Sequence, residues 1–170
     1  MTDDLTPVIA ASTRWLLAAY PASGGALGRA LAEAQARQAV TLAAALRYPG
    51  EVDVALLHLL APSGSDRLDR VSGSGPHGDD DAWRTWVDEA VVSWAACLLA
   101  DPALAAHAAC RAEAAHEHQA AHGLRRLTTP GTRDTEAATL LRHPDLLEDI
   151  ARLHRAQLLD LLSVDTAELL

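Results

Sequence analysis

Residues Asp101 to Leu127 read DPALAAHAACRAEAAHEHQAAHGLRRL, and the fold turns on how this stretch is understood. Asp101-Pro102 is a helix start, an N-cap acid followed by proline at the first helical position. Ala105, Ala108, Ala112 and Ala115 then recur at intervals of three or four residues, a narrow stripe suited to close helix packing. The histidines fall elsewhere. With about 100° of turn per residue, His107 and His118 lie within about 20° of each other. His122 follows His118 by one turn, so three imidazoles share a side. That spacing lets histidines hold one divalent ion. The first two helices of a second helical repeat would look the same, with alanine turned inward and histidine outward.

Two features favour the repeat. The fragment His118-Gln119-Ala120-Ala121-His122 has the spacing of a zincin helix, but Gln stands where that chemistry needs Glu as general base. Arg111 shares the histidine side, a cation among the ligands of a cation. A metal held by His107, His118 and His122 stays as the alternative.

Around this stretch lies a chain of 170 residues, 49% apolar, enough for one domain with its own core. Acidic residues outnumber basic ones by 23 to 14, giving a formal charge of −9, and every basic residue is arginine. Neutralising phosphate needs clustered cations, so neither nucleic acid nor an acidic membrane is an expected partner. The absence of lysine removes Schiff-base chemistry and the phosphate-loop lysine. The opening MTDDLTP is acidic where a signal peptide is basic, and no apolar run reaches about 18 residues, so a soluble cytoplasmic protein is expected. Cys97 and Cys110 lie in alanine-rich runs and read as small buried hydrophobes.

The rest of the chain reads as helix. Thr6-Pro7 opens a first helix and Tyr20-Pro21 closes it. A long Ala/Leu helix runs from about Leu27 to Arg47, with Leu27, Leu31, Ala34, Ala39, Leu42 and Leu46 mostly on one face. Next, EVDVALLHLLAP is poor in β-branched residues and reads as a short helix ended by Pro62. Ser65 or Asp66 caps another short helix through Val71, and SGSGPHGDD is a loop. From Asp81 a single capped helix, DAWRTWVDEAVVSWAACLLAD, points Trp83, Val87, Val91, Trp94 and Leu98 at the core, and leaves Trp86 off the stripe, near a surface or groove. Thr129-Pro130-Gly131 is a turn, and a short helix follows from about Asp134 to Arg142. His143-Pro144 opens the last helix, with Leu146, Leu147, Ile150, Leu153, Leu158, Leu161 and Leu162 forming a wide apolar face.

A second enzyme reading is a phosphohydrolase of HD type. The run QARQAVTLAAALRYPGEVDVALLHLLAP resembles the opening of an HD domain, but Gln35 stands in place of the upstream histidine and His58-Leu59 in place of the His-Asp pair. Most of the metal shell is therefore missing, which leaves at best a degenerate relative. There is no nucleophile elbow and no glycine-rich phosphate loop, so no catalytic residue and no cofactor are expected.

Set side by side, residues 27–101 and 102–163 share an order of long, short, short and long helices. The first set ends in VDVALLHLL, SDRLDRV and DAWRTWVDEAVVSWAACLL, the second in AAHGLRRL, DTEAATLLR and PDLLEDIARLHRAQLLDLL. This pattern resembles the N-terminal domain of Clp-family unfoldases, built of two four-helix repeats. Val52-Asp53-Val54 stands at the family's T-E-H, before Ala55-Leu56-Leu57-His58-Leu59-Leu60. Ala120-Ala121-His122 stands at the second T-E-H, and Glu136 to Leu141 resembles the A-A-x-x-L helix. Such domains are non-catalytic and dock substrates, adaptors or peptides, and some bind phosphorylated arginine through the acid of T-E-H. Of the two acids only Asp53 is kept, with Ala121 in place of the other, while His122 keeps the family histidine and Val54 does not.

The helical patterns give an all-α fold, and the resemblance implies two four-helix repeats forming one compact bundle, 25–101 as the first and 102–170 as the second; the helix within residues 1–24 is additional to the family pattern. The additional helix caps the bundle or mediates dimerisation, giving a monomer or a homodimer. It also implies a stand-alone module that binds a peptide, protein or peptide-like ligand as an adaptor or sequestering protein, with the Clp protease machinery as a partner. Ligand contacts would fall on Val52, Asp53, Val54, Ala121, His122 and Trp86.

Overall fold

The structure, a computed structural model, describes residues 4–75, 81–115 and 123–167. Among these residues there is no strand: ten α-helices and one short 3-10 helix build the fold. Its centre is α5 (Glu89–Ala100), in which every residue from Ala90 to Leu99 is buried. A helix that is apolar all round must be enclosed by others. The neighbours are α2 (Ala26–Arg47) and α9 (Pro144–Arg152), with α1 (Thr6–Ala19), α6 (Pro102–Ala115) and α10 (Arg155–Ala167) on the remaining sides.

α2 packs closely because its inner face is mostly alanine: Ala32, Ala36, Ala39, Ala43 and Ala44 are buried together with Val40, Leu42 and Leu46. Leu27, expected on that face, is 67% exposed, since the first turn of α2 overhangs the body. In α6 the expected stripe does face inward, with Ala105, Ala108 and Ala112 buried and His107 exposed. Of the two cysteines, Cys97 is buried in α5 and Cys110 is exposed, so the reading of both as buried hydrophobes holds for Cys97 alone. No helix among the described residues is long and apolar enough to cross a membrane.

Two expected helices are interrupted, each for a local chemical reason. The helix expected from Asp81 is a 3-10 turn, Ala82–Trp86, followed by extended backbone at Val87 and Asp88. Asp88 is the cap that starts α5, its Oδ1 accepting from the amides of Ala90 at 2.8 Å and Val91 at 3.2 Å. An acid at N-cap satisfies two of the donors a helix start leaves open. The long last helix breaks between α9 and α10. Ser93 Oγ donates to the Ala151 carbonyl at 3.0 Å and accepts from the His154 amide at 2.9 Å, while Trp94 Nε1 donates to the His154 carbonyl at 3.0 Å. Ser93 thus takes over two backbone groups that a continuous helix would pair within itself, while the His154 carbonyl is shared between Trp94 and the Leu158 amide at 3.3 Å.

Between these long elements lie α3 (Glu51–Leu60), α4 (Ser65–Ser72), α7 (Arg125–Thr128) and α8 (Thr132–Ala137). The short helix expected from about Asp134 starts earlier because Asp134 reaches back to the Gly131 amide at 3.1 Å. Gly50 and Asp53 make the same contact, also at 3.1 Å, at the start of α3. Glycine with an acid three residues on therefore opens a helix in each half.

One polar cluster ties residues before Asp101 to those after it, and a second braces α1 against α4 and the 3-10 turn. Gln35 on α2 is fully buried; its Nε2 donates to the Asp134 carbonyl at 2.9 Å and its Oε1 accepts from Arg142. Arg142 also donates to the carbonyls of Leu99 at 3.0 Å and Arg126 at 2.6 Å. On the other side, Trp15 Nε1 donates to Asp69 at 2.9 Å, and Arg84 pairs with the second oxygen of Asp69 at 2.5 Å while lying over the Trp83 ring.

At the surface, Glu148 accepts from Arg155 at 2.7 and 3.1 Å and from Arg152 at 3.0 Å. Those hydrogen bonds, from Arg155 first, pull its carboxyl from 4.5 down to about 2. A carboxylate held low in the folded state stabilises the fold above its unfolded value and loses that effect as pH falls through its folded value. Urea unfolding of wild-type protein and a Glu148→Gln variant should therefore differ most above about pH 5 and converge toward about pH 2. A difference independent of pH would contradict the pairing.

Candidate functional site

The site grows out of a mismatch in α3. A helix of ten residues, EVDVALLHLL, carries six aliphatic side chains apart from Ala55, yet only Val54 and Leu57 are buried. At about 100° per residue, Val52, Leu56, Leu59 and Leu60 share a sector about 100° wide, and they are 73%, 48%, 79% and 75% exposed. Isolated exposed leucines are ordinary, but a contiguous apolar stripe on a helix marks a surface made for contact.

One edge of the stripe descends into a groove of about 550 Å³ between α3 and the start of α5. Leu56, Leu57, Leu60 and Pro62 form its apolar wall. The opposite wall is polar, made by Tyr48 just past α2, by Asp88 and Glu89 at the α5 start, and by His154 from the α9–α10 break. Asp53 and Arg47 stand at the rim. The break caused by Ser93 and Trp94 is what brings His154 here.

Each polar group on that wall is tied to a neighbour. Asp88 caps α5 with Oδ1 and accepts the Tyr48 hydroxyl on Oδ2. Burial and the Asp88 carboxylate push the Tyr48 phenol well up, so it stays a neutral donor. Glu89 accepts from His154 Nε2 at 2.6 Å and pairs with Arg67 at 3.3 Å. His154 Nδ1 faces Gln157 Oε1 at 3.2 Å. Gly64 fits beside this wall because it has no side chain; a Cβ there would lie 2.8 Å from Glu89 Cβ. Acids committed to capping and pairing fix the shape and charge of this wall.

The residues singled out from sequence are only partly brought together. Val52 lies on the exposed stripe and Asp53 at the groove rim, half-buried. Val54 is 6% exposed and packs inward, away from any ligand. Trp86 is half-buried behind α3, its ring edge-on to His58 with centroids 5.7 Å apart, and about 160° of helix turn separates His58 from Leu60. Trp86 supports α3 from the rear and does not line the groove. Ala121, His118 and His122 lie outside the described residues. His107 Nε2 approaches the Leu162 carbonyl at 3.4 Å.

The positions that the HD reading needed are put to structural use. Gln35 is buried in the Arg142 cluster, and His58 Nε2 meets the Asp4 carbonyl at 2.7 Å. Tyr48, Glu89 and His154 were not visible as a site in sequence, being distributed over three elements. The stripe was visible in principle, as a short helix with more apolar side chains than one face can bury. The chain matches no protein-family model, no curated protein and no solved structure.

Proposed function

We propose that the protein is a non-catalytic docking module that captures an apolar segment of a protein partner on α3 and in the adjoining groove. The observation that carries this is the exposed stripe Val52, Leu56, Leu59 and Leu60 on a helix anchored by its other face. The resemblance to the Clp N-terminal domain supports the same reading, since Val52 and Asp53 stand at the first T-E-H position. An adaptor or sequestering protein serving a Clp-type unfolding machine is the role that fits. The paired helix starts at Gly50-Asp53 and Gly131-Asp134 support a two-repeat architecture, in which Asp134 would be the counterpart of Asp53.

A random-peptide display library panned on the wild-type protein should yield apolar binders. A Leu59→Ser, Leu60→Ser variant should bind those peptides at least about tenfold more weakly, because two leucines leaving a contact remove a few kcal/mol. Its thermal midpoint should stay within about 2 °C of wild type, since neither side chain is in the core. Binders indifferent to the double substitution would place the docking surface elsewhere.

A further inference from the structure

The groove has a charge as well as an apolar wall, and the charge selects its occupant. Asp53, Asp88 and Glu89 line it with Arg47 and His154, Arg67 reaches Glu89 at 3.3 Å, and Glu51 stands on the first turn of the same helix as Asp53, so four acids face two arginines. The chain's own cations already sit on acids of this kind: Arg67 on Glu89, and Arg126 on Asp134 at 2.6 Å, the counterpart of Asp53 at the other glycine-acid helix start. The apolar stripe spans the length of α3, about 15 Å, which matches about three turns of a second helix laid along it.

We infer that the partner segment is a cationic amphipathic helix, with leucine-like residues on the α3 stripe and lysine or arginine side chains toward Asp53 and Glu89. This rests on the docking reading above and specifies what docks. A second copy of the chain is the poorer occupant. A two-fold contact sets a surface patch against itself, so the same acids would face one another in a protein of net charge −9. An anionic segment meets the same repulsion. Bringing opposite charges to the rim of an apolar contact mainly sets partner choice and association rate, and is weakened by salt.

The test uses three labelled synthetic peptides of about four turns with leucines at identical helical positions and lysine, glutamine or glutamate at the others. Fluorescence anisotropy against the full chain should rank them lysine, glutamine, glutamate, with the lysine peptide about tenfold tighter than the glutamine one near 50 mM salt. That advantage should shrink severalfold near 300 mM salt. An Asp53→Asn, Glu89→Gln variant should lose most of the lysine advantage, read as the ratio of lysine-peptide to glutamine-peptide affinity in the same protein. A Glu136→Gln, Asp145→Asn variant, with the same change in net charge on other helices, should behave as wild type, which excludes a mere bulk-charge effect.

Equal binding of all three peptides, lost in the Leu59→Ser, Leu60→Ser variant, would overturn the cationic partner and leave the docking face standing. Absence of binding by every peptide would count against both. Sedimentation showing a dimer that the leucine variant abolishes would overturn the proposal in favour of self-association.

Discussion

Replacing Gln35 with alanine should lower the unfolding free energy by about 3 kcal/mol, one of the two largest effects expected in this molecule. The side chain is fully buried, so truncation opens a cavity. It also removes the donor to the Asp134 carbonyl and the acceptor that receives Arg142. A guanidinium left short of a partner in the interior is the more costly of the two. Burial already pulls the Arg142 pKa down against the nearby Asp134 carboxylate, so desolvation weighs on this cation even with its partners in place. Gln35→Leu keeps most of the volume and loses the same hydrogen bonds, so it should recover only about 1 kcal/mol relative to alanine. Urea denaturation of the three proteins separates cavity from orphaned polar groups. A loss under about 1 kcal/mol for alanine would mean that water replaces the amide and that the cluster does not lock the halves together.

Trp15→Ala should cost about 4 kcal/mol, in the range seen when a buried large aromatic is truncated. The indole is 1% exposed and packed in the core with Val8, Ala11 and Leu16. Trp15→Phe isolates the polar part. It removes the Nε1 donor to Asp69, but Arg84 still pairs with that carboxylate, so Asp69 is not abandoned and the loss should be about 1 kcal/mol. Thermal and urea unfolding of both variants would check the ratio. Near-equal losses would shift the weight from packing to the Trp15, Asp69 and Arg84 cluster.

Much of the helical framework was legible because its determinants are local. Tyr20-Pro21 and Pro49-Gly50 mark real helix ends, and the alanine stripe of α6 does face the core over its described part. The misread boundaries have causes that sequence proximity hides. Asp81 and Asp88 are both caps by type, and only Asp88 accepts the hydroxyl of Tyr48, just past the end of α2, which adds a second reason for the chain to turn there. The α9–α10 break is written in Ser93 and Trp94, far from the residues they interrupt. The same distance explains the groove. Asp53 was singled out, but its neighbours Tyr48, Glu89 and His154 converge only through that break and the α5 cap.

The division of labour between α5 and α3 bears on how such a protein can change over generations. Stability is concentrated in α5 and the helices around it, whereas the contact stripe lies on a helix that commits two side chains to the core. Substitutions at Val52, Leu56, Leu59 and Leu60 therefore escape the strongest constraint on protein drift, the need to stay folded. Under the docking proposal, the surface that meets a partner can be rewritten while the scaffold stands still.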